Sequence, residues 1–158
     1  MKKGFGLAVA FVAAGIATYF YLNNRPTHII AVHQNEFVAS VLVDRLPLSD
    51  SKRIAWWLRN KETISTQYHI TSIHERGAKS VYIYAFGEGY LPEEDKDRLC
   101  FEDMPGPKNC IDKNILMMVL RTRDGAQKFI FDDAVYVKGR DGKLVEKAQS
   151  EKRGVKPG

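Results

Sequence analysis

The chain lacks the local patterns that would mark it as an enzyme. It has no G-x-S-x-G elbow, no H-E-x-x-H pair, no phosphate-cradling P-loop and no dinucleotide fingerprint. Phe86-Gly87-Glu88-Gly89-Tyr90 has glycines at alternate positions, but without a third glycine opening a helix it reads as a turn. Cysteine is scarce: Cys100 and Cys110 are the only two, too few for a zinc cage when the four histidines lie scattered. His28 and His33 are five apart, so on a straight strand they face opposite sides and cannot share a metal; His69 and His74 repeat that spacing. The carboxylate pairs Glu93-Glu94, Glu102-Asp103 and Asp132-Asp133 are neighbours in sequence, which does not make an acid and a base converge. Internal repeats and low-complexity tracts are missing as well. So is a concentrated basic face. The net charge of +5 sits in Lys2, Lys3 and the C-terminal stretch from Lys147, leaving residues 4–146 formally neutral. No catalytic residue, cofactor, metal or nucleic-acid partner is expected from this composition.

What is present begins at the N-terminus. Residues 4–22 carry no charge, with Lys2 and Lys3 before them and Asn23, Asn24, Arg25 and Pro26 after. A helix of that length rises about 28 Å, close to the roughly 30 Å hydrocarbon core of a bilayer. Tyr19, Phe20 and Tyr21 sit at its far end, where amphipathic rings favour the lipid–water boundary. A cleaved signal peptide is the rival, with small residues Ala14, Gly15 and Ala17 in its favour. The apolar run, however, continues through three aromatics where a polar cleavage region would begin, so an uncleaved anchor is the reading. The lysines favour a cytoplasmic N-terminus and place everything after about Asn24 outside the cytoplasm. The division is then a cytoplasmic flank (1–3), an anchor in the lipid bilayer (4–22), a linker (23–27), one folded domain (28–147) and a disordered basic tail (148–158).

The folded part is organised around residues 97–111. Cys100 and Cys110 lie on either side of the Met104-Pro105-Gly106-Pro107 turn, flanked by Leu99, Phe101 and Ile111. A disulfide closing a loop of this size would stabilise the fold by roughly 2.5–3 kcal/mol in the chain-entropy model. Two buried reduced thiols are the alternative. An exported domain meets an oxidising compartment, which favours the bond.

Around this clip the periodicity predicts an α+β fold. Residues 28–33 and 37–43 read as strands joined by a turn at Gln34-Asn35-Glu36, the second ended by Pro47. A helix over 51–62 follows, capped by Ser49 or Asp50, with Ile54, Trp57 and Leu58 on its apolar face. Trp56 lies about 100° from Trp57, and is expected at the sheet border or, as a functional residue, as an exposed anchor for a partner. Residues 68–75 read as helix end and loop. Residues 79–86 form a strand with Val81, Ile83 and Ala85 on one side and Tyr82, Tyr84 and Phe86 on the other, which suggests packing on both faces. Past the clip, apolar runs separated by Arg123-Asp124-Gly125 and Arg140-Asp141-Gly142 predict an antiparallel meander. The expected architecture is one N-terminal transmembrane helix, then a twisted antiparallel sheet with one main helix packed on it.

Several of these segments together resemble a known family. Ala31-Val32-His33, Ile54-Ala55-Trp56-Trp57-Leu58 with Asn60-Lys61, Phe86-Gly87-Glu88-Gly89-Tyr90, Asp97-Arg98-Leu99-Cys100-Phe101 and Asn109-Cys110-Ile111, behind a single anchor, are similar to the enterobacterial inner-membrane proteins catalogued as domain of unknown function 943. The resemblance runs from the anchor to about Val145. It implies a shared topology and fold in the bacterial inner membrane with a periplasmic domain, and it brings no activity or catalytic residues.

Two classes of function follow. The first is a membrane-anchored periplasmic module that binds another protein without catalysing a reaction, an immunity protein or envelope-accessory subunit being two concrete versions. Residues 88–103 carry seven acidic side chains against two basic ones. Its contact surface is expected at Trp56, Tyr90, Glu93, Glu94 and Asp95. A calcium site in the acidic loop is disfavoured, because the spacing matches no EF-hand. The second class is a periplasmic hydrolase assembled from scattered groups such as His33, His74 and Asp132.

Overall fold

A computed structural model describes residues 2–70, 80–94 and 97–147, with side chains from residue 6 onward. The loop expected through residue 75, His74, Asp95 and the tail 148–158 lie outside the described residues.

Helix α1 (Lys2–Asn24) contains the apolar span Gly6–Asn24, long enough to cross a membrane. It runs two residues past the expected end at Leu22, and those two residues join it to the domain. Asn23, expected in a linker, is only 5% exposed. Its Oδ1 accepts the N–H groups of Leu48 at 2.9 Å and Ser49 at 3.1 Å. Asn24 Oδ1 accepts a hydrogen bond from Lys52 Nζ. Lys52 lies in the first turn of helix α2 (Asp50–Gln67) and Leu48 and Ser49 lead into it, so the two helices are stitched together at one point. Ser49 holds the N-cap position without a side-chain cap; its hydroxyl lies 3.5 Å from Asn23 Nδ2 instead.

The strands are β1 (Ile29–Gln34), β2 (Val38–Val43), β3 (Ser80–Ala85), β4 (Arg98–Cys100), β5 (Cys110–Asp112), β6 (Ile115–Arg121), β7 (Gln127–Ile130), β8 (Val135–Lys138) and β9 (Leu144–Lys147). Seven of them form a sheet in the order β1-β2-β3-β6-β7-β8-β9, and β4 pairs with β5 separately. The sheet is mostly antiparallel, as the sequence predicts, with one departure: β2 and β3 are parallel. The cause is α2. A crossover helix carries the chain back to the end where β2 began, so the next strand runs in the same direction. The meander β6–β9 follows the predicted pattern. Two of its turns use the same device: the Gly125 N–H reaches Thr122 O at 2.9 Å, and the Gly142 N–H reaches Gly139 O at 3.0 Å. Both glycines have φ above +80°, which side chains resist and which closes a three-residue hairpin loop.

Each strand's alternation feeds two cores. Ala39, Val41, Val43, Val81, Ile83, Met117, Val119 and Phe129 face α2, where Ile54, Trp57 and Ile64 meet them. Large side chains of this kind each contribute about 1.5–3 kcal/mol on full burial. Trp56 packs into the same core at 7% exposure. This corrects the reading of Trp56 as an exposed anchor on a contact surface. A sheet face is broad enough to cover an apolar stripe of 100° or more, so adjacent tryptophans can both be buried. The opposite sheet face holds Leu42, Tyr84, Phe101 and Ile111, with Tyr82, Phe86, Tyr90 and Leu99 around them.

A bulge decides which face His33 joins. The β1–β2 register shifts between Ile29 and Ala31, leaving Ile30 as the extra residue. Ile29 therefore packs in the α2 core while Ala31 packs in the other. His33, two residues beyond Ala31, lies on the helix-free face.

Candidate functional site

The β4–β5 hairpin lies over the helix-free face. Cys100 and Cys110 stand opposite each other in its ladder and are joined by a disulfide with S–S 2.06 Å. Phe101 and Asn109 continue the pairing, with the Phe101 N–H donating to Asn109 O at 2.9 Å and Asn109 Nδ2 to Phe101 O at 3.0 Å. On the other side of Cys110, its backbone exchanges two hydrogen bonds with Leu91, of 2.7 and 3.0 Å. That bridge fixes the neighbouring Tyr90. The chain reaches it through Gly87 and Gly89, whose φ values of +55° and +91° make the turn after β3.

These constraints build a polar cluster around His33, which is 8% exposed. Nδ1 lies 2.9 Å from both Asp103 carboxylate oxygens, and Nε2 lies 2.7 Å from the Tyr90 hydroxyl. A carboxylate only accepts, so Nδ1–H donates to Asp103 and Nε2 accepts from Tyr90 O–H in the tautomer that satisfies all three groups. Burial, and secondarily the Asp103 carboxylate, push the Tyr90 hydroxyl above its ordinary value, which keeps that donor in place. Phe101 stacks on the imidazole with centroids 3.9 Å apart and planes 17° from parallel. The clip thus holds two side chains, Phe101 and Asp103, against a histidine seventy residues earlier in the chain.

Beside this cluster runs an open groove of about 580 Å³. Tyr82 and Tyr84, stacked 6.2 Å apart, belong to its lining with Ser40, Leu99 and Phe101, and Glu102 and Asp103 supply its carboxylates. Among the described residues, no lysine or arginine lines it. Burial, then the neighbouring Tyr82, push the Tyr84 hydroxyl up to about 12.

The expected contact residues do not come together here. Trp56 is buried on the opposite face of the sheet. Tyr90 belongs to the His33 cluster but is not among the groove-lining side chains. Glu93 and Glu94 are exposed on the loop before β4. Glu94 pairs at 3.2 Å with Arg98, whose side chain is 6% exposed and also reaches Asp112 at 3.1 Å and Pro92 O at 2.6 Å. Asp97 pairs with Lys113. Two carboxylates of the acidic loop, Glu94 and Asp97, are therefore engaged by cations of the hairpin. Of the three hydrolase candidates, His33 has a carboxylate partner, Asp132 sits in the β7–β8 turn away from the groove lining, and His74 lies outside the described residues. Among the described residues, no group of three His, Cys, Asp or Glu side chains is placed to hold a metal ion. Sequence reading missed Asp103, Phe101, Tyr82 and Tyr84 as a set. The alternation of Tyr82 and Tyr84 opposite Val81 and Ile83 was the available signal, since two tyrosines facing one side want a partially wet environment.

The family model described as Enterobacterial putative membrane protein (DUF943) matches residues 1–148. The chain belongs to that family. No curated protein and no solved structure matches it. Membership in DUF943 and the 19-residue apolar span Gly6–Asn24 together support association with a membrane.

Proposed function

We propose that this DUF943 protein is a membrane-anchored, non-catalytic binding module whose groove holds a basic polypeptide segment on the periplasmic side. The observation that carries it is the groove lining: among the described residues it offers a tyrosine pair, an aromatic ring and two carboxylates, and no lysine or arginine. Arg and Lys side chains stack on tyrosine faces and pair with carboxylates, so such a surface selects cationic segments. Lys2 and Lys3, with the disulfide, favour the orientation that exports the domain.

The test uses the full chain in detergent with matched peptides, one rich in Arg and Tyr and one rich in Glu and Tyr, followed by calorimetry. The basic peptide binds more tightly, binding weakens as salt rises, and Glu102→Lys lowers the affinity severalfold while the melting temperature stays put. Equal affinity for both peptides would end the proposal. A phosphatase fused to the C-terminus reports orientation independently: activity in intact cells is expected, and silence there removes the periplasmic assignment.

A further inference from the structure

A second cavity, of about 660 Å³, opens where α1 meets the domain. Phe20, Tyr21, Asn24 and Arg25 from the end of the apolar span line one side, and His28, Asp44 and Arg45 line the other. Tyr19, Phe20 and Tyr21 are exposed around that end of the helix, at the depth where an anchor's aromatic belt meets phosphate groups. The Arg25 guanidinium stands 5.8 Å from the Tyr21 ring centroid.

Among the described residues, Asp44 is the only carboxylate in the lining, and its oxygens are already engaged. It accepts the His28 N–H at 2.8 Å, the His28 ring at 3.0 Å, the Arg45 N–H at 2.7 Å and the Arg45 guanidinium at 3.2 Å. Burial pushes its carboxyl up, but the hydrogen bonds from His28 and Arg45, with the Arg45 charge, outweigh this and hold it below its usual value. One carboxylate thus orients His28 and Arg45 and offsets one of two guanidinium charges, leaving the cavity cationic. The Asn23 bonds to Leu48 and Ser49 tie the helix end to the domain, so the cavity walls stay in register with the span.

We infer that this cavity takes the phosphodiester of an anionic glycerophospholipid from the adjoining leaflet, with Arg25 and Arg45 as its donors and Tyr21 beside the lipid's glycerol end. The inference rests on α1 spanning the bilayer. Guanidinium groups match phosphate oxygens in pairs, and a headgroup without its own ammonium leaves that charge uncompensated. The domain would then be held by the span and by a lipid at its neck.

The experiment is native mass spectrometry of the full chain released from nanodiscs of phosphatidylglycerol and phosphatidylcholine in equal parts. A single phosphatidylglycerol is retained in preference to phosphatidylcholine. The double variant Arg25→Gln/Arg45→Gln loses that retention by about 10- to 30-fold, since each basic residue near an anionic surface is worth roughly a fivefold factor. Arg25→Lys/Arg45→Lys keeps much of it, which separates charge from misfolding. Unchanged retention in the glutamine variant overturns the inference, and so does equal retention of the two lipids. Displacement by millimolar inorganic phosphate would assign the cavity to a soluble anion and overturn the lipid assignment. An alkaline carbonate wash of native membranes separates the two failures. A chain that washes off overturns the span and this inference together, whereas one that stays but retains no phosphatidylglycerol overturns the headgroup site alone.

Discussion

On the α2 face of the sheet, Trp57, Phe129, Ile54, Met117 and Val41 are fully buried and come from strands and a helix that need no covalent help. On the other face, Leu42, Tyr84, Phe101 and Ile111 form a smaller cluster beneath a short hairpin. That hairpin is closed by Cys100–Cys110, and Phe101, Asp103 and Tyr90 pack on or bond to a buried histidine beside it. The first face closes chiefly by apolar packing. The second has a smaller buried cluster, supplemented by a disulfide, an Arg98 ion-pair set and a polar network. In return it stays open to solvent along the groove. Under the binding function proposed above, a closed face and an open one on a single sheet divide stability from recognition.

The largest test of this division is Trp57→Ala. Removing a fully buried indole from the α2 core should cost about 3–5 kcal/mol, read as a lower denaturation midpoint. Both tryptophans lie in that core, while Tyr82, Tyr84 and Tyr90 lie on the other side, so tryptophan fluorescence and a fluorine label placed on Tyr82 alone report the two faces separately. In the wild type the two signals should change together, as in a small cooperative domain. If they separate, the faces are independent units and the division is deeper than packing.

Cys100→Ser comes next. Opening a loop of this length should cost about 2.5–3 kcal/mol under oxidising conditions and almost nothing relative to wild type in reducing buffer. Because Phe101 and Asp103 follow Cys100 directly, the same change should weaken capture of a basic peptide more than Trp57→Ala does under conditions where both variants remain folded. An identical stability loss in reducing buffer would mean that packing of the sulfur, and not the bond, holds the cover.

Much of the closed face was legible in the sequence, and little of the open one was. Val81 and Ile83 alternate with Tyr82 and Tyr84, and that period of two correctly announced a strand with packing on both sides. The Arg-Asp-Gly repeats announced two hairpins of like geometry for the same local reason. The parallel β2–β3 pair was also within reach, since a helix of eighteen residues between two strands argues for a crossover. His33 and Asp103 are another matter. Seventy residues separate them, and their meeting depends on a bulge at Ile30 and on a clip that redirects the chain. Periodicity carries no information about such a contact. Glu94 misled for a simpler reason: a run of acids invites a docking surface, although Arg98 four residues on could already have claimed one of them.

A finer discriminator between the faces is titration at high pH. Burial, then Tyr82, raise the Tyr84 hydroxyl to about 12, above the 10 of an unfolded tyrosine. Between those values the unfolded chain releases this proton while the folded chain keeps it, so the unfolded state binds fewer protons and stability falls as pH rises. The loss is on the order of 2 kcal/mol over that interval, fully absent below about pH 10. Tyr84→Phe should flatten this part of the profile. Tyr136, packed at the edge of the α2 core, is also raised, by burial first and then by the Glu146, Asp50 and Asp133 carboxylates. It borders solvent, however, so Tyr136→Phe should move the profile less. Equal effects from the two variants would show that Tyr84 is no more enclosed than Tyr136, and the contrast between the two faces would fail at this residue.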